Sequence, residues 1–213
     1  MEEFTATPKA SPTSWTKQLG SSSNDDAFGV ATDSSGNVYV TGATTGGLDG
    51  NTSAYGNDLF VVKYNSSGTK QWTKQLGTSS HDTATGVDTD LSGNVYVTGD
   101  TTGGLDGNTS AGSNDLFVVK YNSSGTKQWT KQLGTSSHDY AHGVATDSSG
   151  NVYVTGSTYR NLDGNTSAGN ADLFVVKYNA SGSKQWTRQL GSSSRDSARE
   201  LPPKPSKKNP SFL

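Results

Sequence analysis

The residues best equipped for chemistry stand together late in the chain: His138, Asp139, Tyr140 and His142. Imidazole, carboxylate and phenol are the groups that general acid–base work uses, provided each reaches the proton it moves. A third histidine, His81, repeats the place of His138, and Asn24 holds that place once more. One imidazole per repeat, on separate loops, does not supply the three or four converging ligands that zinc takes. Tyr159 and Arg160 stand on a nearby loop of the same copy. The candidate binding residues are therefore His81, His138, Tyr140, His142, Tyr159 and Arg160. Nearly every acid comes in three equivalent copies, which suits turns better than one reaction centre, so no catalytic residue is assigned.

A second pattern is L-D-G-N-T-S, at 48–53, 105–110 and 162–167. Its oxygens at alternate positions are those of Asp49, Asn51, Asp106, Asn108, Asp163 and Asn165, the calcium candidates. The twelve-residue calcium loop wants Gly sixth and Glu twelfth. Those places hold Ala54 and Phe60. The competing reading is a turn closed by the Asp and Asn side chains themselves. Neither pattern implies a cofactor.

Both patterns recur because the chain does. Trp15, Trp72, Trp129 and Trp186 stand 57 residues apart, and almost the same sentence lies between them. Within one copy, Phe28–Asp33, Asn37–Gly42, Asp58–Asn65 and Thr69–Leu76 predict four short strands. Asp33 and Asn65 each precede Ser-Ser-Gly. An Asx side chain accepts from the backbone two residues on, and Gly takes the positive φ, so these are tight hairpins between antiparallel strands. No segment carries a helical apolar period. The middle strands are apolar on both faces, as in Leu59-Phe-Val-Val62, and must be covered on both. Trp72–Leu76 alternates instead, with Lys70 and Lys74 expected to be exposed, which suits an outer edge.

Four-stranded antiparallel sheets repeated at a fixed period read as propeller blades. GVATDSSGNVYVTG (29–42), DLFVVKYNSSGTKQW (58–72) and their copies resemble the bacterial SBBP-type beta-propeller repeat and, more distantly, NHL-type blades. The expected fold is all-β: a partial β-propeller with three full blades, at about 27–77, 84–134 and 141–191, and a lone outer strand at Trp15–Gly20. Residues 1–14 and the basic, Pro-rich 192–213 are expected to be disordered, with 15–191 forming the repeat domain. The break at the threshold of an inner strand suggests a piece of a longer propeller. The resemblance also implies a secreted or surface location, although the first residues lack the character of a signal peptide.

Composition narrows the function. Only 29% of the 213 residues are apolar and 17% charged, with net charge −2. This gives no footprint for nucleic acid, and no run is apolar enough to cross a membrane. Without cysteine there is no disulfide framework and no thiolate metal site. Copies one and two differ at nine of 57 positions, seven of them in or beside the long loops. Long loops on a rigid frame are where function sits. The expectation is a non-enzymatic scaffold that binds an unknown protein or glycan on its long-loop face. The alternatives are a purely structural segment, or part of a propeller glycosidase or lyase. Two chains of three blades giving a six-bladed ring is the arithmetic possibility for self-assembly.

Overall fold

The computed structural model describes residues 14–196. Three four-stranded antiparallel sheets follow one another. Blade 1 is β1 (Asp25–Thr32), β2 (Val38–Thr44), β3 (Asp58–Tyr64) and β4 (Lys70–Leu76). Blade 2 is β5 (Asp82–Thr89), β6 (Val95–Thr101), β7 (Asp115–Tyr121) and β8 (Lys127–Leu133). Blade 3 is β9 (Asp139–Thr146), β10 (Val152–Thr158), β11 (Asp172–Tyr178) and β12 (Lys184–Leu190). The three sheets do not close on one another, and a partial β-propeller is the architecture that results.

The tight turns form as their residues require. Asp33 Oδ1 accepts from the backbone N–H groups of Ser35 (2.9 Å) and Asn37 (3.0 Å). Its Oδ2 accepts from the Asn37 amide (2.7 Å) and the Tyr39 hydroxyl (2.9 Å). One carboxylate thus fixes the turn and the first residues of β2. Asn65 Oδ1 does the same for the β3–β4 turn, accepting from Ser67 N–H at 3.1 Å and Thr69 N–H at 2.8 Å.

The long connection between β2 and β3 is held from the outer strand. Gln75 Oε1 accepts from Leu48 N–H (2.9 Å), and its Nε2 donates to Gly46 O (3.0 Å) and Asp58 Oδ2 (2.7 Å). Gln132 and Gln189 repeat this brace. The loop bends at short 3₁₀ turns, Leu48–Gly50, Leu105–Gly107 and Leu162–Gly164, each sealed by a buried leucine.

The cores lie between blades. Tyr39, Leu59 and Val61 of blade 1 pack with Val87, Val97, Phe117 and Val119 of blade 2. Tyr96, Leu116 and Val118 of blade 2 pack with Val144, Val154, Phe174 and Val176 of blade 3. A repeat of this kind cannot bury its apolar face alone. In β1 and β2 the pairing slips between Ala27 and Gly29, leaving Phe28 bulged, and equivalent shifts bulge Thr85 and His142. Such bulges re-aim a side chain out of the ladder.

Four expectations need correction. β1 begins at Asp25, earlier than Phe28. The Asp25 carboxylate accepts from Ser21 N–H at 2.6 Å and also from the Thr44 hydroxyl, which anchors the strand start. Trp15–Gly20 forms no strand, because the third strand it would pair with lies in no described blade. Lys70 is exposed but Lys74 is half-buried, its stem lying along the Gly125 turn of the next blade. Residues 192–196 keep the repeat geometry rather than opening the tail: Asp196 accepts from Ser192 N–H at 2.7 Å and donates its own N–H to Ala171 O at 2.7 Å. Most of the two segments expected to be disordered, 1–13 and 197–213, lies outside the described residues.

Two glycines give a paired test. A Cβ on Gly134 would fall 1.9 Å from Asp115 Oδ1, inside the loop brace. A Cβ on Gly107 meets nothing within 4 Å, although φ is +79°. Gly107→Ala is expected to cost about 1 kcal/mol, the left-handed strain alone. Gly134→Ala is expected to cost about 2 kcal/mol or more, because a buried carboxylate must move. Thermal melts of the two variants decide the order; a Gly107→Ala chain that melts below Gly134→Ala refutes it.

Candidate functional site

The inner strands start on the long-loop side, so residues just before and within the starts of β5 and β9 meet the β2–β3 and β6–β7 loops of the preceding blade. Asn114 and His138 form a parallel bridge across the blade 2–3 junction. Asp139 N–H donates to Asn114 O at 2.8 Å. This brings residues of two blades onto one small patch.

At its base is Asp100, on β6. Its Oδ2 accepts from the Asn114 amide at 2.8 Å. That bond orients the amide, so Asn114 Oδ1 faces His138 Nδ1, 2.8 Å away. A carbonyl oxygen only accepts, so Nδ1 carries the proton and Nε2 is the acceptor in the neutral ring. The Tyr140 hydroxyl lies 3.2 Å from the same Nδ1 and makes a long contact of 3.5 Å with Asn114 Oδ1.

Three rings cover this polar base. His138 and Tyr140 stack with centroids 5.7 Å apart and planes 5° apart. Tyr159 stands edge-on to both, at 6.0 Å and 6.5 Å. His138 is exposed, while Tyr140 and Tyr159 are half-buried. The patch therefore offers aromatic surface beside an imidazole, an amide and a carboxylate. Burial pushes the Asp100 carboxyl up to about 6, with Asp82 adding to the rise and Asn114 and His138 opposing it. Burial raises the Tyr140 phenol too, so it stays a donor.

The sequence-derived candidates divide. His138, Tyr140 and Tyr159 converge. His142 does not join them: it is the bulged residue of β9, and its Nε2 lies 3.3 Å from Ser157 Oγ. His81 sits at the other junction, its backbone tied to Thr102. There the places of Asp100, Tyr140 and Tyr159 hold Ala43, Thr83 and Thr102. Arg160 is exposed beside the patch, its carbonyl accepting from Gln189 Nε2 at 3.0 Å. Asp49, Asp106 and Asp163 pair with the ammonium groups of Lys70, Lys127 and Lys184. The Asn51, Asn108 and Asn165 amides donate to the leucine carbonyls of their own turns. Hydrogen bonding to Lys70 chiefly holds the Asp49 carboxyl low.

Sequence reasoning missed Asp100 and Asn114 as site residues. Asp100 had a signal, being one of the nine positions where copies one and two differ. Asn114 had a weaker one: Asn57 stands at the same place in copy one, and the place differs in copy three, where it holds Ala171.

Because folding raises the Asp100 pKa, its carboxyl holds a proton in the native chain between about pH 4 and 6 that the unfolded chain has released. Its contribution to stability therefore falls as pH rises through that window. Asp100→Asn removes the term. The melting temperature of the variant relative to the parent should climb between pH 4.5 and 7.5; a difference flat in pH would contradict the raised carboxyl.

A family model for a beta-propeller repeat, SBBP, matches residues 14–49, 71–106 and 128–163, just over half of the chain. An uncharacterized WD repeat-containing protein of Acanthamoeba polyphaga mimivirus is 26% identical over 227 residues, covering 83% of this chain and 16% of that protein. The regulatory protein FlaEY of Caulobacter vibrioides is 26% identical over 191 residues, covering 80% of this chain and 20% of that protein. The chain thus spans a fifth or less of the length of these relatives. With the repeat matched in all three blades, the chain belongs to the SBBP beta-propeller repeat family.

Proposed function

We propose that this chain is a non-enzymatic repeat scaffold that binds a carbohydrate on its long-loop face, at the blade 2–3 junction. One observation carries the reading. His138, Tyr140 and Tyr159 form a ring cluster directly over Asp100 and Asn114, and the blade 1–2 junction lacks three of its members. Sugars present apolar C–H faces and fixed hydroxyls. Aromatic rings cover the first, and precisely placed amide, carboxylate and imidazole groups pair with the second. The site sits on strand ends and braced loops, which hold it in shape before a ligand arrives.

The same patch offers little for hydrolysis. Glycosidases set two carboxyl groups on either side of the scissile bond. Here Asp100 is occupied with Asn114, and Asp139 is buried, accepting from Thr135 N–H at 2.6 Å and from the Thr158 hydroxyl.

A glycan array with the soluble chain tests the proposal. Binding to a defined subset is expected, with Tyr159→Ala and Asn114→Ala each weakening it tenfold or more. His81→Ala, at the other junction, should leave it within twofold. A blank result over a broad panel, or equal loss on His81→Ala, would return the chain to a purely structural role.

A further inference from the structure

The two ends of the blade stack leave uncovered, among the described residues, surfaces that are covered at both internal junctions. In blades 1 and 2 the rear face is wholly buried: Tyr39, Leu59 and Val61, then Tyr96, Leu116 and Val118, are each 0% exposed. The same residues of blade 3, Tyr153, Leu173 and Val175, are half-buried. At the front, Val87 and Val144 are 9% and 8% exposed, but their blade 1 counterpart Val30 is 70% exposed. The polar contacts are split in the same way. Lys63 Nζ donates to Ser123 O at 3.1 Å, and Lys120 Nζ to Ala180 O at 3.0 Å. Lys177 has no such carbonyl among the described residues; its counterpart would be Ser66 O, on the far side of blade 1.

Part of that front face is already occupied. Trp15 Nε1 donates to Ser66 O at 3.3 Å, as Trp72 Nε1 donates to Ser123 O at 3.3 Å. The Trp15 ring lies against Gly68 and Tyr64, as Trp72 lies against Gly125 and Tyr121. Leu19 packs nearby on Phe60 and Val62. This segment mimics the outer strand of a preceding blade, and no strands inside it stand among the described residues. A groove of about 200 Å³ remains between it and Val40, Leu48, Phe60 and Val62.

We infer that blade 1 receives blade 3 of a second copy of this chain, head to tail, and that Trp15–Leu19 is a cap that holds the seat until then. The repeat itself argues for this occupant. The surface that covers Val87 and Phe117 inside the chain is Tyr39, Leu59 and Val61. Blade 3 presents the same residue types at Tyr153, Leu173 and Val175, with Lys177 in register for Ser66 O. Trp186 of that copy would take the place of the Trp15 ring, so cap and copy exclude each other. A contact of this kind uses different surfaces on the two partners, and it closes into a ring or runs on as a filament according to the rotation per copy.

Sedimentation of the full chain over a concentration series tests this, with circular dichroism to check the fold. Trp15→Ser with Leu19→Ser is expected to lower the concentration for association at least tenfold. Adding Val175→Asp to that chain should restore the mass of a single copy. An uncapped chain that stays single up to its solubility limit overturns the inference, and so does association that survives Val175→Asp. Cross-linking guards against an uncapped chain that fails to fold. The chain has no native cysteine. An otherwise native chain carrying Ser66→Cys and Lys177→Cys should give multiples of its mass with a short bis-maleimide, whereas each single-cysteine chain should give none. Equal ladders from all three would refute head-to-tail docking.

Discussion

Everything in this structure depends on the burial of one thin sheet against the next. Each blade has two apolar faces and no interior of its own. Leu116 and Val118 are shielded by blade 3, while Phe117 and Val119, pointing the other way, are shielded by blade 1. Burying a valine, leucine or phenylalanine side chain is worth roughly 1.5–3 kcal/mol. The apolar fraction of the chain is low because only these few rows need to be dry. The rest of the sequence is free to be Ser, Thr, Asn and Gly, and those residues make the turns and loop braces that hold the rows in register.

Much of this was legible from residues alone. The spacing of the tryptophans and the two Ser-Ser-Gly turns prescribe the blade, and the structure has strands where the apolar pairs stand. What was hidden depends on contacts across long separations. Nothing local in Gln75 announces that it braces a loop through Leu48 and Asp58. Nothing local in Asp25 shows that it anchors the start of β1, upstream of its apolar residues. Trp15–Gly20 reads as a strand because its copies are strands, but a strand is made by its neighbour, and this segment has none in the described residues.

The candidate site was half legible for the same reason. Comparing copies picks out residues that vary, so His138, Tyr140 and Tyr159 stand out, and Asp100 is among the variable positions. It finds less readily a residue like Asn114, which matches Asn57 of the preceding copy, though not Ala171 of the next, and acquires its role only where its neighbours change. At one junction the equivalent places beside Asn57 hold Ala43 and His81; at the next, Asn114 bonds Asp100 and His138. An identical scaffold residue thus becomes part of a site through substitutions in two adjoining blades. The loop aspartates show the reverse: Asp49 and its copies vary nowhere, and each is taken up by a lysine.

The placement of the cores between blades also governs how the molecule comes apart. In a one-dimensional stack, stability is close to a sum of unit and nearest-neighbour terms. Among the described residues, blade 2 has two neighbours, and blades 1 and 3 have one full neighbour each. Opening is therefore graded along the chain, with the ends fraying before the middle and amide protons of β6 and β7 the last to exchange. The ring cluster straddles blades 2 and 3, so half of it rests on the best-protected sheet and half on one that opens more readily. A ligand gripping both would act as a staple, damping the breathing of blade 3 without altering the resting structure.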